Sequence, residues 1–103
     1  MRIFDTKKLQ AFPFSERHKN VFFQVDEFKI RIIELNKGQQ LSKCQMSSYV
    51  IFSLVSGEVE VMVNNENSLL KEGELLVSEP ANFSMKAIRA SRLLGIQINK
   101  QKF

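Results

Sequence analysis

Alternation with a period of two runs along most of the chain, and that period is the signature of strands half-buried against a core. FKIRIIEL, residues 28–35, sets Phe28, Ile30 and Ile32 against Lys29 and Arg31. SSYVIFSLV follows, Ser56-Gly57 reads as a turn, and EVEVMV then places Val59, Val61 and Val63 opposite Glu58 and Glu60. These two segments are expected to form a hairpin with its apolar face inward. Asn64-Asn65-Glu66-Asn67 supplies residues that tolerate positive φ in a tight turn. Beyond it come SLL, a turn at Lys71-Glu72-Gly73, ELLVS, a break at Glu79-Pro80-Ala81-Asn82, then FSMKAIR and RLLGIQI. About seven or eight short strands separated by turn signals predict an all-β sandwich or barrel. No segment carries a helical repeat or capping box, and DTKKLQAF near the start fits either one helical turn or an edge strand.

Because residues two apart on a strand share a face, the pattern also predicts an interior. Cys44, Met46, Ser48, Val50, Phe52 and Leu54 point one way, while Tyr49, Ile51 and Ser53 point the other. Phe83, Met85 and Ala87 share a face opposite Lys86. Joined by Phe28, Ile30, Ile32 and Val61, these residues predict an almost wholly apolar pocket. Glu34 has the parity of Ile32, so it is expected at the pocket or its rim.

A chain of 103 residues supports one domain with one core. Residues 1–27 read as an N-terminal arm and edge strand, and residues 28–98 as the barrel. Hydrophobic residues at 44% and charged residues at 25% are globular proportions. VFFQV and IRIIEL are cut short by charge long before the roughly 20 residues needed to span a bilayer. MRIFDTKKLQ lacks the apolar core of a signal peptide. No membrane partner is therefore expected, and one cysteine, which forms no internal disulfide, points to a reducing, cytoplasmic setting. The net charge of +4 is scattered over Lys7 and Lys8, Arg17 and Lys19, Lys29 and Arg31, Arg89 and Arg92, and Lys100 and Lys102. Without a recognition-helix pattern this reads as solvated surface, and no nucleic-acid partner is expected.

GQQLSKCQMSSYVIFSLVSG, residues 38–57, has a glycine at each end and resembles in its spacing the first cupin motif, G(X)5HXH(X)3,4E(X)6G. Gly38 and Gly57 take the two glycine positions; Cys44 and Met46 stand where the family has histidines, and Val50 where it has glutamate. GELLVSEPANFSMKAIR is similar, more loosely, to the second motif, G(X)5PXG(X)2H(X)3N. Gly73 opens it, Pro80 is displaced by one residue, Asn82 replaces the next glycine, and Met85 falls at the histidine. The resemblance spans about residues 28–98. It implies a small cupin-like β-barrel, a double-stranded β-helix or jelly roll, whose metal motifs have degenerated.

The chemistry then divides. If cupin geometry holds, Cys44, Met46 and Met85 converge, and a thiolate with thioethers suits Cu(I) better than iron, manganese or zinc. The alternative is that the same three residues are soft core fillers. With His18 the only histidine, set in the polar run SERHKN, neither a multi-histidine site nor a nucleophile–histidine–acid set is available. Glu34, if buried, is the one candidate general base. The favoured expectation is a non-catalytic barrel without cofactor that binds a small apolar or amphipathic molecule. The alternative is a copper protein or enzyme using Cys44, Met46 and Met85. The resemblance further implies a homodimer through an outer sheet face, here expected to use Tyr49, Ile51 and VFFQV.

Overall fold

The computed structural model describes residues 1–99, apart from the side chains of Phe14 and residues 42–44; Lys100, Lys102 and the Cys44 side chain therefore lie outside the described residues. A kinked 3-10 segment, Phe14–Asn20, precedes β1 (Val21–Gln24), β2 (Phe28–Leu35), β3 (Gln40–Met46), β4 (Tyr49–Ser56), β5 (Glu58–Val63), β6 (Glu66–Lys71), β7 (Leu75–Ser78), β8 (Ala81–Ala87) and β9 (Ser91–Ile98). All pairings are antiparallel. One sheet runs in the order β1-β2-β9-β4-β7 and the other β3-β8-β5-β6, and the two face each other as an all-β barrel.

Local chemistry explains the turns. Asn64 and Asn65 take φ of 46° and 76° and close the β5–β6 hairpin, with Val63 opposite Glu66, as asparagine's tolerance of the left-handed region predicts. The expected β4–β5 hairpin does not form: β4 pairs with β9 and β7, whereas β5 pairs with β6 and β8. Ser56-Gly57 is instead a corner where the chain passes from one sheet to the other. Gly57 has φ of 98°, and a Cβ there would stand 2.2 Å from Ser91 Oγ and 2.5 Å from Ala90 O. Buried Ser91 secures the corner: its Oγ accepts the Glu58 N–H at 3.0 Å, and its hydroxyl reaches Arg89 O at 2.7 Å.

The largest departure from expectation concerns β2. Its pairing with β9 runs without a shift from Phe28 opposite Ile98 to Leu35 opposite Ser91. Leu35 belongs to the main core cluster with Val59, Val61, Met85 and Leu93, and Ile33 packs against it. A Cβ on Gly95 would meet Arg31 Cγ at 3.3 Å and Ile33 Cδ1 at 3.4 Å. The inward face of β2 is therefore Arg31, Ile33 and Leu35. By alternation, Phe28, Ile30, Ile32 and Glu34 face outward.

What covers that outer face is the N-terminal arm. Phe4 meets Phe22 and Phe23 edge-on at 4.8 and 6.2 Å, and Phe23 stacks on Phe28 at 5.8 Å. Arg92, opposite Glu34 in register, donates from Nε to Thr6 O at 2.7 Å and from Nη2 to Leu9 O. DTKKLQAF contributes a turn, with Lys8 and Leu9 N–H groups donating to Asp5 O. Ile32 is thus buried although it does not face the barrel interior.

Replacing Gly57 with alanine is expected to destabilise the fold by about 2 kcal/mol or more, from positive-φ strain plus the clash with backbone at residues 90–91. Urea unfolding of Gly57→Ala measures it; a loss below about 0.5 kcal/mol would contradict the corner geometry.

Candidate functional site

The barrel is filled at one end and open at the other, and the strand registers say which residues stand where. At the filled end, Leu35, Leu54, Val59, Leu70, Ala87 and Leu93 are all buried in one cluster, and Val61 and Met85 stand opposite each other at its margin. Moving toward the open end along β9, β4 and β8, the inward positions become Gly95, Phe52 and Phe83, then Gln97, Val50 and Ala81. A cavity of about 250 Å³ occupies this half.

Its walls come from both sheets. Phe52 and Phe83 meet edge-to-face across the interior, ring centres 5.7 Å apart, and Met46, Val50, Leu41 and Met85 border the same space. Gly95 contributes room: because it has no side chain, the aliphatic stem of Arg31 and the ring of Phe52 close to within 3.3 Å of where a Cβ would be. Arg31 and Gln97 border the cavity toward the mouth together with Phe12, Arg17 and Asn20 from the segment before β1, while Gln39, whose Oε1 accepts the Asn36 N–H at 3.0 Å, borders it from the side of the filled end. Asn20, itself buried, holds Phe12 in place. Its Oδ1 accepts the Phe12 N–H at 2.7 Å, and its Nδ2 donates to Phe12 O at 3.1 Å.

Of the residues expected in the pocket, Met46, Val50, Phe52, Phe83 and Met85 border this cavity. Ile32 and Glu34 border it only from a strand position whose side chains face outward. Phe28 and Ile30 do not border it, because they lie on the outer face of β2. Val61 does not border it either, because it is packed into the filled half. Cys44 stands opposite Phe83 in the β3–β8 register, and its side chain lies outside the described residues.

The sequence reading of the pocket missed Arg31, Ile33, Gln97 and Gly95. A signal for them was present: IRIIEL is apolar on both parities, as a strand covered on both faces is. The lone glycine within RLLGIQI also marks a close approach of neighbouring groups.

Glu34 does not have the setting of a desolvated base. Its side chain is 54% exposed, and its Oε2 lies 2.8 Å from Arg92 Nη1 on the outer face. His18 is exposed in the 3-10 segment and borders a second, shallow recess beside Arg17, Lys29 and Arg31. Among the described residues no three His, Cys, Asp or Glu side chains stand together as a metal-binding group. The motif's four ligand positions hold Cys44, Met46, Val50 and Met85; valine offers no donor, and thioethers do not suit iron, manganese or zinc. This donor set does not fit the imidazole–carboxylate metal of the cupin motifs.

No family model and no curated protein matches the chain. Solved structures do. A conserved protein of unknown function from Streptococcus pyogenes, SPY1581, superposes with a TM-score of 0.73 at 19% identity, over 80% of this chain and 73% of that one. A cupin superfamily protein from Desulfitobacterium hafniense gives 0.73 at 14% identity, over 78% and 74%. The cupin domain of Schizosaccharomyces pombe Cnp3 gives 0.71 at 20% identity, over 78% and 61%. Salicylate 1,2-dioxygenase from Pseudoaminobacter salicylatoxidans also superposes, at 0.67 and 18% identity; this chain spans only 21% of that enzyme. The likeness shows that the chain has the cupin fold. Among the described residues, no helix is long and apolar enough to cross a membrane.

Because Glu34 is half-exposed and paired rather than buried, Glu34→Gln is expected to cost no more than about 1 kcal/mol, with the loss shrinking as salt rises. Urea titrations at low and high ionic strength measure it. A salt-independent loss above about 2 kcal/mol would contradict a surface ion pair.

Proposed function

We propose that this cupin-fold barrel is a non-catalytic binder of a small apolar or amphipathic molecule, and that the open half of the barrel is where the molecule sits. The observation that carries this reading is the division of the interior. One half is closed by its own side chains, while the other keeps a cavity walled by aromatic, aliphatic and thioether groups with a few polar groups at one end. That is the composition of small-molecule sites in general. No acid–base pair or nucleophile accompanies the cavity among the described residues, and Met46 and Met85 serve as its flexible lining.

The test is thermal denaturation against a panel of small aromatic and alkyl compounds, with a Val50→Phe variant to fill the cavity. A ligand at 100-fold excess over its Kd should stabilise the wild type by about 2.7 kcal/mol and leave the filled variant nearly unmoved. Equal shifts in both proteins, or none with any compound, would overturn the reading. Metal analysis of protein purified anaerobically from copper-, zinc- and iron-supplemented cells is expected to find no stoichiometric metal. Near-stoichiometric copper that disappears in Cys44→Ser would replace the proposal with the soft-metal alternative.

The homodimer belongs to the same proposal, with a second copy as the partner. On the outer face, Ile96, Ile51 and Val77 form one row across three strands, flanked by Tyr49 beside Ile98 and by Leu94 near Leu75. Tyr49, Leu75, Val77 and Ile98 are 41–64% exposed, whereas Phe22 and Phe23 of VFFQV are already engaged by Phe4. An exposed apolar face of this kind is one that a second copy could bury across a two-fold axis. Ile51→Lys is expected to lower the dimer fraction in light scattering; an unchanged mass would reject this face.

A further inference from the structure

Resting on the small-molecule reading above, we propose that the ligand is an uncharged molecule about one ring in size that carries a single hydroxyl or carboxamide group. Its ring lies among Phe52, Phe83 and Met85, and the side-chain amide of Gln97 hydrogen-bonds its polar group.

The charges around the cavity leave none for a ligand to answer. Among the described residues, Arg17, Arg31 and Glu34 are the charged side chains that border it. Arg17 and Arg31 each already have an interaction partner within the protein. The Glu34 carboxylate is bound on the outer face by Arg92 at 2.8 Å. A charged ligand would therefore give up its hydration without gaining an uncommitted counter-charge, whereas a neutral one gives up far less.

The uncharged polar groups narrow to one. Among the described residues they are Asn20, Gln39, Ser84 and Gln97. Asn20 spends both ends of its amide on the Phe12 backbone, and Gln39 Oε1 accepts the Asn36 N–H. Ser84 lies between the inward residues Phe83 and Met85 on β8, so alternation turns it outward. Gln97 stands on the inward face of β9, opposite Val50, and its side-chain amide makes no hydrogen bond among the described residues. That amide offers both a donor and an acceptor. A hydroxyl or a second carboxamide, each able to donate and to accept, is its complement.

Position and size fix the rest of the molecule. Gly95, opposite Phe52 in the ladder, marks the level of the Phe52–Phe83 pair. Gln97 lies two residues farther toward the mouth, about 7 Å along the strand. A ring seated against Phe52 and Phe83 therefore presents its substituent to Gln97. A dry cavity of about 150 Å³ takes a benzene ring. At about 250 Å³, this one adds room for one short substituent.

The experiment is calorimetric titration of the full chain with probes of one size: benzamide, benzyl alcohol, toluene, benzoate and benzylammonium. Benzamide or benzyl alcohol is expected to bind about tenfold or more tighter than both charged probes. Gln97→Met keeps the length of the side chain and removes its amide. It should weaken that neutral probe about fivefold or more and leave toluene within about twofold. If the variant fails to fold, the wild-type comparison of neutral and charged probes reads the proposal. A charged probe that binds as tightly as the better polar neutral one would overturn it and leave the small-molecule reading standing, as would binding of toluene alone. A Gln97→Met variant that binds benzamide, benzyl alcohol and toluene unchanged, or all equally weakened, would do the same. No binding by any probe at millimolar concentration would overturn both.

Discussion

The unshifted β2–β9 ladder is the constraint on which the rest of this structure depends. A slip of one residue in a strand exchanges its two faces, and here the two faces do different work. In the register observed, Arg31 lies opposite Gly95 on the inside, and Glu34 lies opposite Arg92 on the outside. The same register gives Arg92 its place beside the arm, where its guanidinium ties the backbone at Thr6 and Leu9 to the sheet. Phe23, itself met by Phe4, stacks on Phe28, and Ile32 on the same face is buried, so the outer face of β2 is covered there rather than open sheet.

The cavity follows from how the two sheets close. At the Gly57 corner the chain passes between sheets within a single tight turn, and the Ser91 hydroxyl fastens that turn to the start of β9. Close approach there lets leucines, valines and Ala87 fill the interior. Farther from the corner the Phe52–Phe83 contact bridges the sheets, and the missing side chain at Gly95 lets the Arg31 stem and the Phe52 ring close in beside it. Arg31 and Gln97 border the cavity toward its mouth, and Gln39 borders it from the other side. The positions that hold metal in the cupin motifs are part of this wall, where Val50 and Met85 contribute burial instead of hard donors.

Much of the architecture was legible because it depends on short-range rules. The alternations in EVEVMV and in FSMKA assign Val59, Val61, Val63, Phe83, Met85 and Ala87 to the interior, and each is packed or bordering there. The pair Asn64-Asn65 announces its own backbone conformation. Ser56-Gly57 was legible only as a turn, since a hairpin and a sheet-to-sheet corner ask the same of two residues. Ser91, which separates the two possibilities, lies more than thirty residues away.

What the sequence by itself determined is the set of strands, their turns, the frame of glycines that resembles a cupin barrel, and the donor types available at the motif positions. These are properties of neighbours along the chain, set by side-chain period and by the φ values that glycine and asparagine allow. Only the tertiary structure decided which face of FKIRIIEL turns inward, because Ile32 and Ile33 are equally apolar and each is buried by a different partner. Ile32 is buried on the outer side of the sheet, and Ile33 packs against the main core cluster. That decision carries Arg31 into the barrel and Glu34 out of it. The charge at the cavity mouth is therefore set by long-range pairing and not by composition.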